Sequence, residues 1–147
     1  MKEKILEILQ SIINERIINA KASMDAAQES ANSEDKSSAG DKYETSRAMG
    51  QIDRDMYARQ MVNAQNEMAA LNRINIAIRS ISVGLGCLVD TSAGYFFISV
   101  SVGKIDFEKK TLLAVSPSSP IGTILMSKKV GEKFVFLGKE HKILAIN

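Results

Sequence analysis

The chain has 147 residues, 45% of them hydrophobic and 24% charged, which predicts a folded protein of one ordinary domain or two small ones rather than a disordered chain. Its formal net charge of +2 is too small to indicate a nucleic-acid-binding protein. Aromatic residues make up only 5% of the chain and Trp is absent, so the composition favours a helical hairpin over a single large core.

Membrane and disulfide signals are absent from the sequence. No stretch approaches the roughly 18 apolar residues of a membrane span, and the opening MKEKILEILQ is charged and amphipathic, unlike a signal peptide. We therefore expect a cytoplasmic protein with no membrane partner. Cys87 is the only cysteine, which excludes an internal disulfide and a cysteine metal cluster, and we expect it to be a buried small apolar residue.

Charge is distributed unevenly along the chain. Residues 1–82 carry 11 basic and 12 acidic side chains, a net of −1, whereas residues 83–147 carry 8 Lys and 5 acidic side chains, a net of +3. The cationic part could steer the protein towards an acidic surface, and a solvated Lys-rich exterior explains the same numbers.

The first thirty residues carry an apolar stripe typical of one helix of a coiled coil. Its members recur at spacings of three and four, so they fall on one face of a helix. The stripe consists of Leu6, Leu9, Ile13, Ile17, Ala20, Met24, Ala27 and Ala31. Because small seam residues let two helices approach closely, we expect the distal end of this helix pair to be slim.

A second helical stripe follows after a polar segment. It consists of Met49, Ile52, Met56, Ala64, Met68, Leu71, Ile74 and Ile78. Gln60 interrupts it, and the spacings of four around Gln60 predict a seam that drifts rather than a strict heptad.

Two helical patterns of similar length predict an antiparallel coiled-coil hairpin over residues 1–81, on the order of 45 Å long. Its polar, acidic tip lies near residues 32–42, where Gly40 allows a turn and Asp41 suits the positive end of the second helix. A solvated turn explains the composition of this hairpin tip as well.

Residues 82–147 predict a small β-rich α+β domain. The runs VGLGCLVD, YFFISVSV, TLLAV, KFVFLG and KILAI are typical of strands, and the last two predict a hairpin at Gly138 and Lys139. In YFFISVSV, residues such as Phe96 and Ile98 alternate with Tyr95 and Phe97, which predicts one face more deeply buried than the other. Between these runs, residues 119–126 predict a short helix with an N-terminal Ser and Pro.

Catalytic motifs are not evident in this region. His141 is the only histidine and lies in a predicted strand without a paired nucleophile. The run GLG at residues 84–86 lacks the remaining glycine of a dinucleotide fingerprint, and no P-loop is present. We therefore expect no enzyme activity of the chain's own and no resident cofactor.

The segment SPSSPIGTILMSKKVGEKF, together with the preceding hairpin, resembles the GreA/GreB family of bacterial transcription elongation factors. The matching residues are 115–122, then Leu125, Lys128 or Lys129, and residues 130–132, whereas Met126 and Ser127 replace the commoner Leu-Gly. The resemblance spans essentially the whole chain, and it implies an FKBP-like fold for the C-terminal domain.

The resemblance implies a protein that binds RNA polymerase at its secondary channel and contacts nucleic acid only indirectly, within the elongation complex. In the family, acids at the hairpin tip help to hold a Mg²⁺ shared with the polymerase and promote cleavage of backtracked RNA. Carboxylates are hard oxygen ligands suited to Mg²⁺. The corresponding candidates here are Glu34, Asp35, Asp41 and Glu44, with Asp35 as the candidate Mg²⁺ ligand; the candidates for polymerase contact are Tyr43, Arg47, Pro120, Ile121, Gly122, Lys128 and Lys129. For Pro120 and Gly122 a purely structural role is equally open.

The hairpin tip departs from the family pattern. Aligning on Tyr43 and Arg47 puts Lys36 and Ala39 at the two positions where the family has acids. This leaves open a cleavage factor with a rearranged tip, which we favour slightly, and a non-cleaving regulator of the same channel. A coiled-coil adaptor or oligomerisation module unrelated to transcription is a third hypothesis, because the polar Gln60 could set partner choice.

Overall fold

The structure is a computed structural model that describes residues 1–33 and 40–147, with side chains described for residues 1–32 and 44–147. Two long helices come first, α1 (Lys2–Ser33) and α2 (Gly40–Asn72). A six-stranded mixed sheet and one short helix follow, so the predicted order of a helical hairpin and a β-rich domain is confirmed. The FKBP-like description of that domain stays a prediction. Within the described part of the chain, none of the helices combines the length and the apolar character needed to cross a membrane.

The helices α1 and α2 run antiparallel. Arg16 of α1 forms an ion pair with Glu67 of α2 at 3.3 Å between nitrogen and oxygen, and further along α1 the Cβ of Ala31 lies against Gly50. Residue numbers therefore fall on α2 as they rise on α1. At roughly 1.5 Å per residue, residues 10–33 form about 36 Å of helix.

The apolar stripe predicted on α1 is confirmed. Leu9, Ile13, Ala20 and Ala31 are buried, and the other members of the stripe are half-buried. Ile5, which the stripe did not include, is also fully buried.

The stripe predicted on the first half of α2 is wrong. The side chains of Met49, Ile52 and Met56 are 56%, 60% and 37% exposed, whereas Ala64 and Leu71 are buried as predicted. The covered face of α2 includes Ser46, Gly50, Arg54, Tyr57, Met61, Ala64, Met68 and Leu71, and Ala58, Glu67, Ala69 and Ala70 beside them are half-buried as well. Its spacings of three and four fit a seam, but its first members are small or polar. Close approach of the helices explains the shift, because a Cβ on Gly50 would lie 3.0 Å from the Ala31 Cβ and a Met there would not fit.

Helix α2 ends at Asn72, earlier than the predicted continuation through Ile78. The N–H groups of Arg73 and Ile74 donate to carbonyls three residues back, which tightens the last turn. The Oδ1 of Asn75 then accepts a hydrogen bond from the Ala77 N–H, an Asx-turn that competes with helix. Ile74 is nevertheless buried, with its Cγ2 directly over Gly86.

The sheet has the strand order β3-β4-β2-β1-β6-β5, with β2 and β4 parallel and the other neighbours antiparallel. The strands are β1 (Leu88–Thr91), β2 (Gly94–Ile98), β3 (Gly103–Phe107), β4 (Lys110–Val115), β5 (Lys133–Phe136) and β6 (Lys139–Ile146), and the short helix α3 (Pro120–Leu125) lies between β4 and β5. The predicted hairpin of the last two strands is confirmed, with its turn at Leu137 and Gly138.

Strand β3 was missed by the sequence analysis. Lys104 and Asp106 alternate with the buried Ile105 and Phe107, a short half-polar pattern suited to an edge strand. Its two-residue turn to β4 has positive φ at Glu108 and Lys109, 45° and 66°, where sequence rules expect Gly or Asn.

One face of YFFISVSV is buried more deeply than the other, as predicted, but the difference is small: Phe96, Ile98 and Val100 are buried on one face, and on the other Phe97 and Ser99 are buried while Ser101 is exposed. One face of the sheet carries a core cluster of Val83, Cys87, Val89, Phe96, Ile98, Val115, Ile121, Leu125, Phe134 and Ile143. The opposite face is covered as well, since Phe97 is 0% exposed and its neighbour Leu88 is 4% exposed. The burial of Cys87 confirms its predicted role.

The chain divides into two compact units, and neither boundary falls at residue 81. The sheet unit comprises Met1–Leu9 and Ala70–Asn147, and the hairpin unit comprises Gln10–Ala69. The sheet unit also buries apolar residues that do not belong to its strands, among them Ile5, Leu9, Leu71 and Ile74. The Lys2 ammonium donates to the Gly86 carbonyl at 3.3 Å, which ties the start of α1 into this unit.

Candidate functional site

The motif segment, residues 115–132, begins with a tightly hydrogen-bonded turn into α3. Ser119 is the N-cap of α3, and its Oγ accepts from the Gly122 N–H at 3.1 Å while donating to the Ser116 carbonyl at 2.7 Å. Pro120 takes the first helical position, where its missing N–H costs nothing. The short helix predicted over residues 119–126 is therefore confirmed.

Gly122 is required by the packing of this turn. A Cβ at this position would lie 2.0 Å from the Ser116 carbonyl oxygen and 2.8 Å from the Ser119 Oγ. Any larger residue must displace backbone, so the structural role that the sequence left open for Gly122 is present.

The predicted contact residues of the motif segment differ in accessibility. Ile121 is 7% exposed and belongs to the core cluster, and Gly122 is also buried. Pro120 and Lys129 are exposed, and Lys128 is half-buried. The exposed residues of α3 therefore keep their position because Ile121 and Leu125 of the same helix are buried in the core cluster.

The two lysines lie on a short backbone pairing that continues beyond α3. The Val83 N–H donates to the Lys128 carbonyl at 2.8 Å, and Ser82 and Lys129 form an isolated antiparallel bridge. The Glu132 carboxylate accepts a hydrogen bond from the Lys129 N–H. These contacts fix the backbone of both lysines while leaving their ammonium groups outside the core.

The hairpin tip is described only in part. Glu34 and Asp35 lie outside the described residues, as do the positions of Lys36 and Ala39. Asp41 and Tyr43 lie in the first turn of α2 by their backbone, and their side chains are outside the described set. Glu44 and Arg47 are exposed, three residues apart on α2, and line the same shallow depression with Ala48 and Gln51.

The predicted site residues therefore belong to two different units. Those of the motif segment lie together in the sheet unit, and Glu44 and Arg47 lie in the hairpin unit. Among the residues with described side chains, no three His, Cys, Asp or Glu residues come close enough to hold a metal ion. The Mg²⁺ shared with a polymerase stays a prediction for the tip acids.

Sequence reasoning missed Ile81, an exposed apolar residue whose neighbour Ser82 is bridged to the motif segment. Ile81 is 80% exposed and Val130 is 57% exposed, and they flank the bridge between Ser82 and Lys129. The bridge joins segments that are distant in the chain, so no local pattern could have indicated it.

No family model matches the sequence, and no curated protein matches it. A solved structure of the transcription factor Gfh1 is similar to this chain, at 14% sequence identity and a TM-score of 0.36. The match covers 96% of this chain and 92% of that one.

Proposed function

We propose that this protein is a Gre-like transcription factor that binds RNA polymerase at the secondary channel. Its hairpin unit presents the hairpin tip to the channel, and the exposed residues of the motif segment dock on the rim. The chain has no enzyme activity of its own in this proposal, because its acids act only together with the Mg²⁺ site of the polymerase.

The observation that carries the proposal is the combination of a Gre-like motif segment with an antiparallel helical hairpin in one chain. The motif residues form one local unit, in which Ser119 caps α3 and Gly122 fits against Ser116. Several residues of the motif are required together to form the turn into α3. They are therefore a stronger basis for the resemblance than the same number of scattered identities would be.

The hairpin unit has the physical properties that the proposed role needs. A narrow channel admits only a slim rod, and the contact of Gly50 with Ala31 brings the two helices close together at the end that leads to the tip. The segment between α1 and α2 supplies acids, namely Glu34 and Asp35. In the proposed complex these carboxylates are the candidates for polarising water beside the shared Mg²⁺.

Transcript cleavage in a stalled, backtracked elongation complex tests the proposal. Purified wild-type protein is first tested for binding to core RNA polymerase and then for shortening of the RNA 3′ end in the presence of Mg²⁺. Glu34→Ala and Asp35→Ala are expected to lower the cleavage rate while binding is kept. Asp25→Ala is the matched control, because Asp25 is an exposed acid further back on α1.

A non-cleaving regulator of the secondary channel is the second candidate. The presence of Lys36 and Ala39 at the positions of the family acids favours it, because loss of one of two carboxylate ligands weakens metal binding. Wild-type protein that binds polymerase and inhibits elongation without cleaving RNA would establish this alternative.

A coiled-coil adaptor is the third candidate, and the exposed stripe on α2 favours it. Met49, Ile52 and Met56 lie on one outer face of α2, where a partner helix could cover them. A pull-down that recovers a defined partner but no polymerase subunit would support the adaptor and overturn the main proposal.

A further inference from the structure

We propose that the outer face of α2 docks a helix of another protein, one whose apolar stripe is flanked by Lys or Arg residues. This face carries a row of exposed residues that we call the outer stripe: Thr45, Met49, Ile52, Met56, Arg59 and Asn63. The outer stripe lies entirely within the hairpin unit. The inference goes beyond the proposed function, because it requires no contact with RNA polymerase.

The outer stripe has the spacing of a coiled-coil seam. Its successive members are alternately four and three residues apart, so they fall on one side of the helix. Another side of α2 already packs on α1, since a Cβ on Gly50 would lie 3.0 Å from the Ala31 Cβ. One seam is enough for a helix in a two-helix hairpin. A helix with two seams has the pattern of a helix with two helical neighbours.

The centre of the outer stripe is apolar and uncovered. Met49, Ile52 and Met56 are 56%, 60% and 37% exposed. The seam with α1 beside them contains Gly50 and Ala31, so this part of α2 places large apolar side chains outside and small residues inside. Clustered exposed apolar side chains are typical of a protein interface, and the flexible Met side chain adapts well to a partner surface.

A hollow continues the outer stripe beyond Met56. Ala58, Arg59, Val62 and Asn63 line a shallow depression of about 290 Å³, and the Val62 side chain is 49% exposed. When two helices pack, side chains of one helix insert between those of the other. The depression therefore offers a recess for a side chain of a docked helix.

Acids on both sides of the apolar centre define the charge of the partner. Asp53 and Asp55 follow Ile52 by one and three residues, which places them on opposite flanks of the outer stripe. Both are exposed, and the Asp55 carboxylate contacts the Arg54 guanidinium at 3.6 Å. Flanking charges set partner choice in coiled coils. The electrostatic complement of this face is therefore a helix with Lys or Arg beside its apolar stripe.

The same charges disfavour a second copy of this chain as the partner. In an antiparallel pair of outer stripes centred on their apolar residues, equal flanks meet, so Asp53 would face Asp53 and Asp55 would face Asp55. In a parallel pair equivalent positions of the stripe meet, so Arg59 would face Arg59. Like charges in opposition lower affinity, and a basic partner helix avoids both arrangements.

Two synthetic helical peptides are the probes in a binding test with the whole 147-residue chain. Both peptides have the same seam of Leu and Ile, and the positions that flank the seam are Lys in one peptide and Glu in the other. Fluorescence anisotropy of the labelled peptides measures their dissociation constants at low and high salt. We expect the Lys peptide to bind at least about tenfold more tightly than the Glu peptide, and we expect salt to reduce this difference.

Substitutions in the outer stripe locate the bound peptide. Ile52→Ser, and Met49→Ser combined with Met56→Ser, are expected to weaken binding of the Lys peptide at least about tenfold. The matched controls are Ile18→Ser and Val135→Ser, at aliphatic residues outside the stripe that are 57% and 61% exposed. Each control should change binding by less than about twofold. Circular dichroism checks that every variant is folded.

The flanking acids are tested with the combined substitutions Asp53→Asn and Asp55→Asn. This variant is expected to weaken binding of the Lys peptide, to lower its dependence on salt and to leave the Glu peptide bound no more weakly than before. The inference is overturned, while the proposed function stands, if the Lys peptide does not bind, if it binds no more tightly than the Glu peptide, or if Ile52→Ser leaves its binding unchanged.

Two further measurements test other occupants of the outer stripe. Analytical ultracentrifugation of the protein alone is expected to show no dimer that Ile52→Ser removes. Such a dimer would assign the outer stripe to a second copy and overturn the inference. Loss of polymerase binding in Ile52→Ser, in a protein that does not bind the Lys peptide, would assign the outer stripe to the polymerase and overturn it as well.

Discussion

The hairpin unit and the sheet unit are held together in different ways. Among the described side chains of the hairpin unit, the buried apolar residues are Ile13, Ala20 and Ala31 of α1 and Ala64 of α2, and three of these four are alanines. The sheet unit instead buries large residues on both faces of a sheet, such as Phe96 and Phe97. Because less apolar area is buried along a two-helix seam, we expect the hairpin unit to open more readily than the sheet unit. The predicted docking residues of the motif segment thus lie in the unit that we expect to be more stable. Glu44, one of the predicted tip acids, lies in the unit that we expect to open more readily.

The largest effect is expected in the sheet unit from Gly122→Ala. The new Cβ would collide with the Ser116 carbonyl, and relief requires movement of backbone that anchors α3. We expect a loss of about 3 kcal/mol in the free energy of unfolding, measured with urea. Gly84→Ala is the control, because nothing lies within 4 Å of a Cβ at that site. Equal stabilities of the two variants would contradict the packing described for the turn.

In the hairpin unit the corresponding substitution is Gly50→Leu. Its side chain would push α2 away from Ala31, so we expect a loss of about 2 kcal/mol and reduced helix content on heating, followed by circular dichroism. Met49→Leu keeps a large apolar residue at the neighbouring position, which is 56% exposed. We expect it to change stability by less than about 0.5 kcal/mol. A larger cost at position 49 than at position 50 would restore the stripe predicted from the sequence.

A smaller effect is expected at the cap of α3. Ser119→Ala removes the acceptor for the Gly122 N–H and the donor to the Ser116 carbonyl, which should cost about 1 kcal/mol. Ser118→Ala is the matched control at an exposed neighbour, whose Oγ contacts only the Ser116 hydroxyl among the contacts described. Urea unfolding that does not distinguish the two variants would show that the cap contributes nothing.

The smallest effect is expected from the ion pair of the hairpin unit. Arg16 and Glu67 have side chains that are 42% and 30% exposed, so solvent screens their attraction. Arg16→Ala should lower stability by about 0.5 kcal/mol or less, and added salt should reduce the difference further. A double-mutant cycle with Glu67→Ala isolates the pair from other effects. A coupling well above 1 kcal/mol would show that the pair is more shielded than its exposure indicates.

The sequence predicted the parts of the fold that depend on large apolar residues at regular spacing. The seam of α1 was predicted because Leu9 and Ile13 mark its face. The seam of α2 was misplaced because Gly50 and Ser46 occupy it while Met49 and Ile52 lie outside, and a hydrophobicity pattern cannot recognise a glycine chosen for close approach.

The errors in the sheet unit have a different cause. Ile74 and Ile78 continue the helical spacing, but the Asn75 side chain and the tightened turn after Leu71 end the helix before them. Strand β3 was missed because its turn at Glu108 and Lys109 lacks the residues that usually mark such hairpins. Of the candidate site, the turn around Ser119 could be predicted from local capping chemistry. The bridge between Ser82 and Lys129 could not, because it joins residues that are far apart in the sequence.

Site-specific crosslinking tests most directly the proposal that the hairpin tip enters the secondary channel of RNA polymerase. In one sample a photoreactive benzoylphenylalanine replaces Ser38. In a second sample it replaces Lys139, the first residue of β6. The labelled proteins are irradiated in complex with RNA polymerase, and the crosslinked polymerase peptides are identified by mass spectrometry. We expect crosslinks from position 38 to polymerase residues that line the secondary channel, and none there from position 139. Crosslinks from position 38 only to the outer surface of the polymerase, or none in a complex that does form, would contradict it.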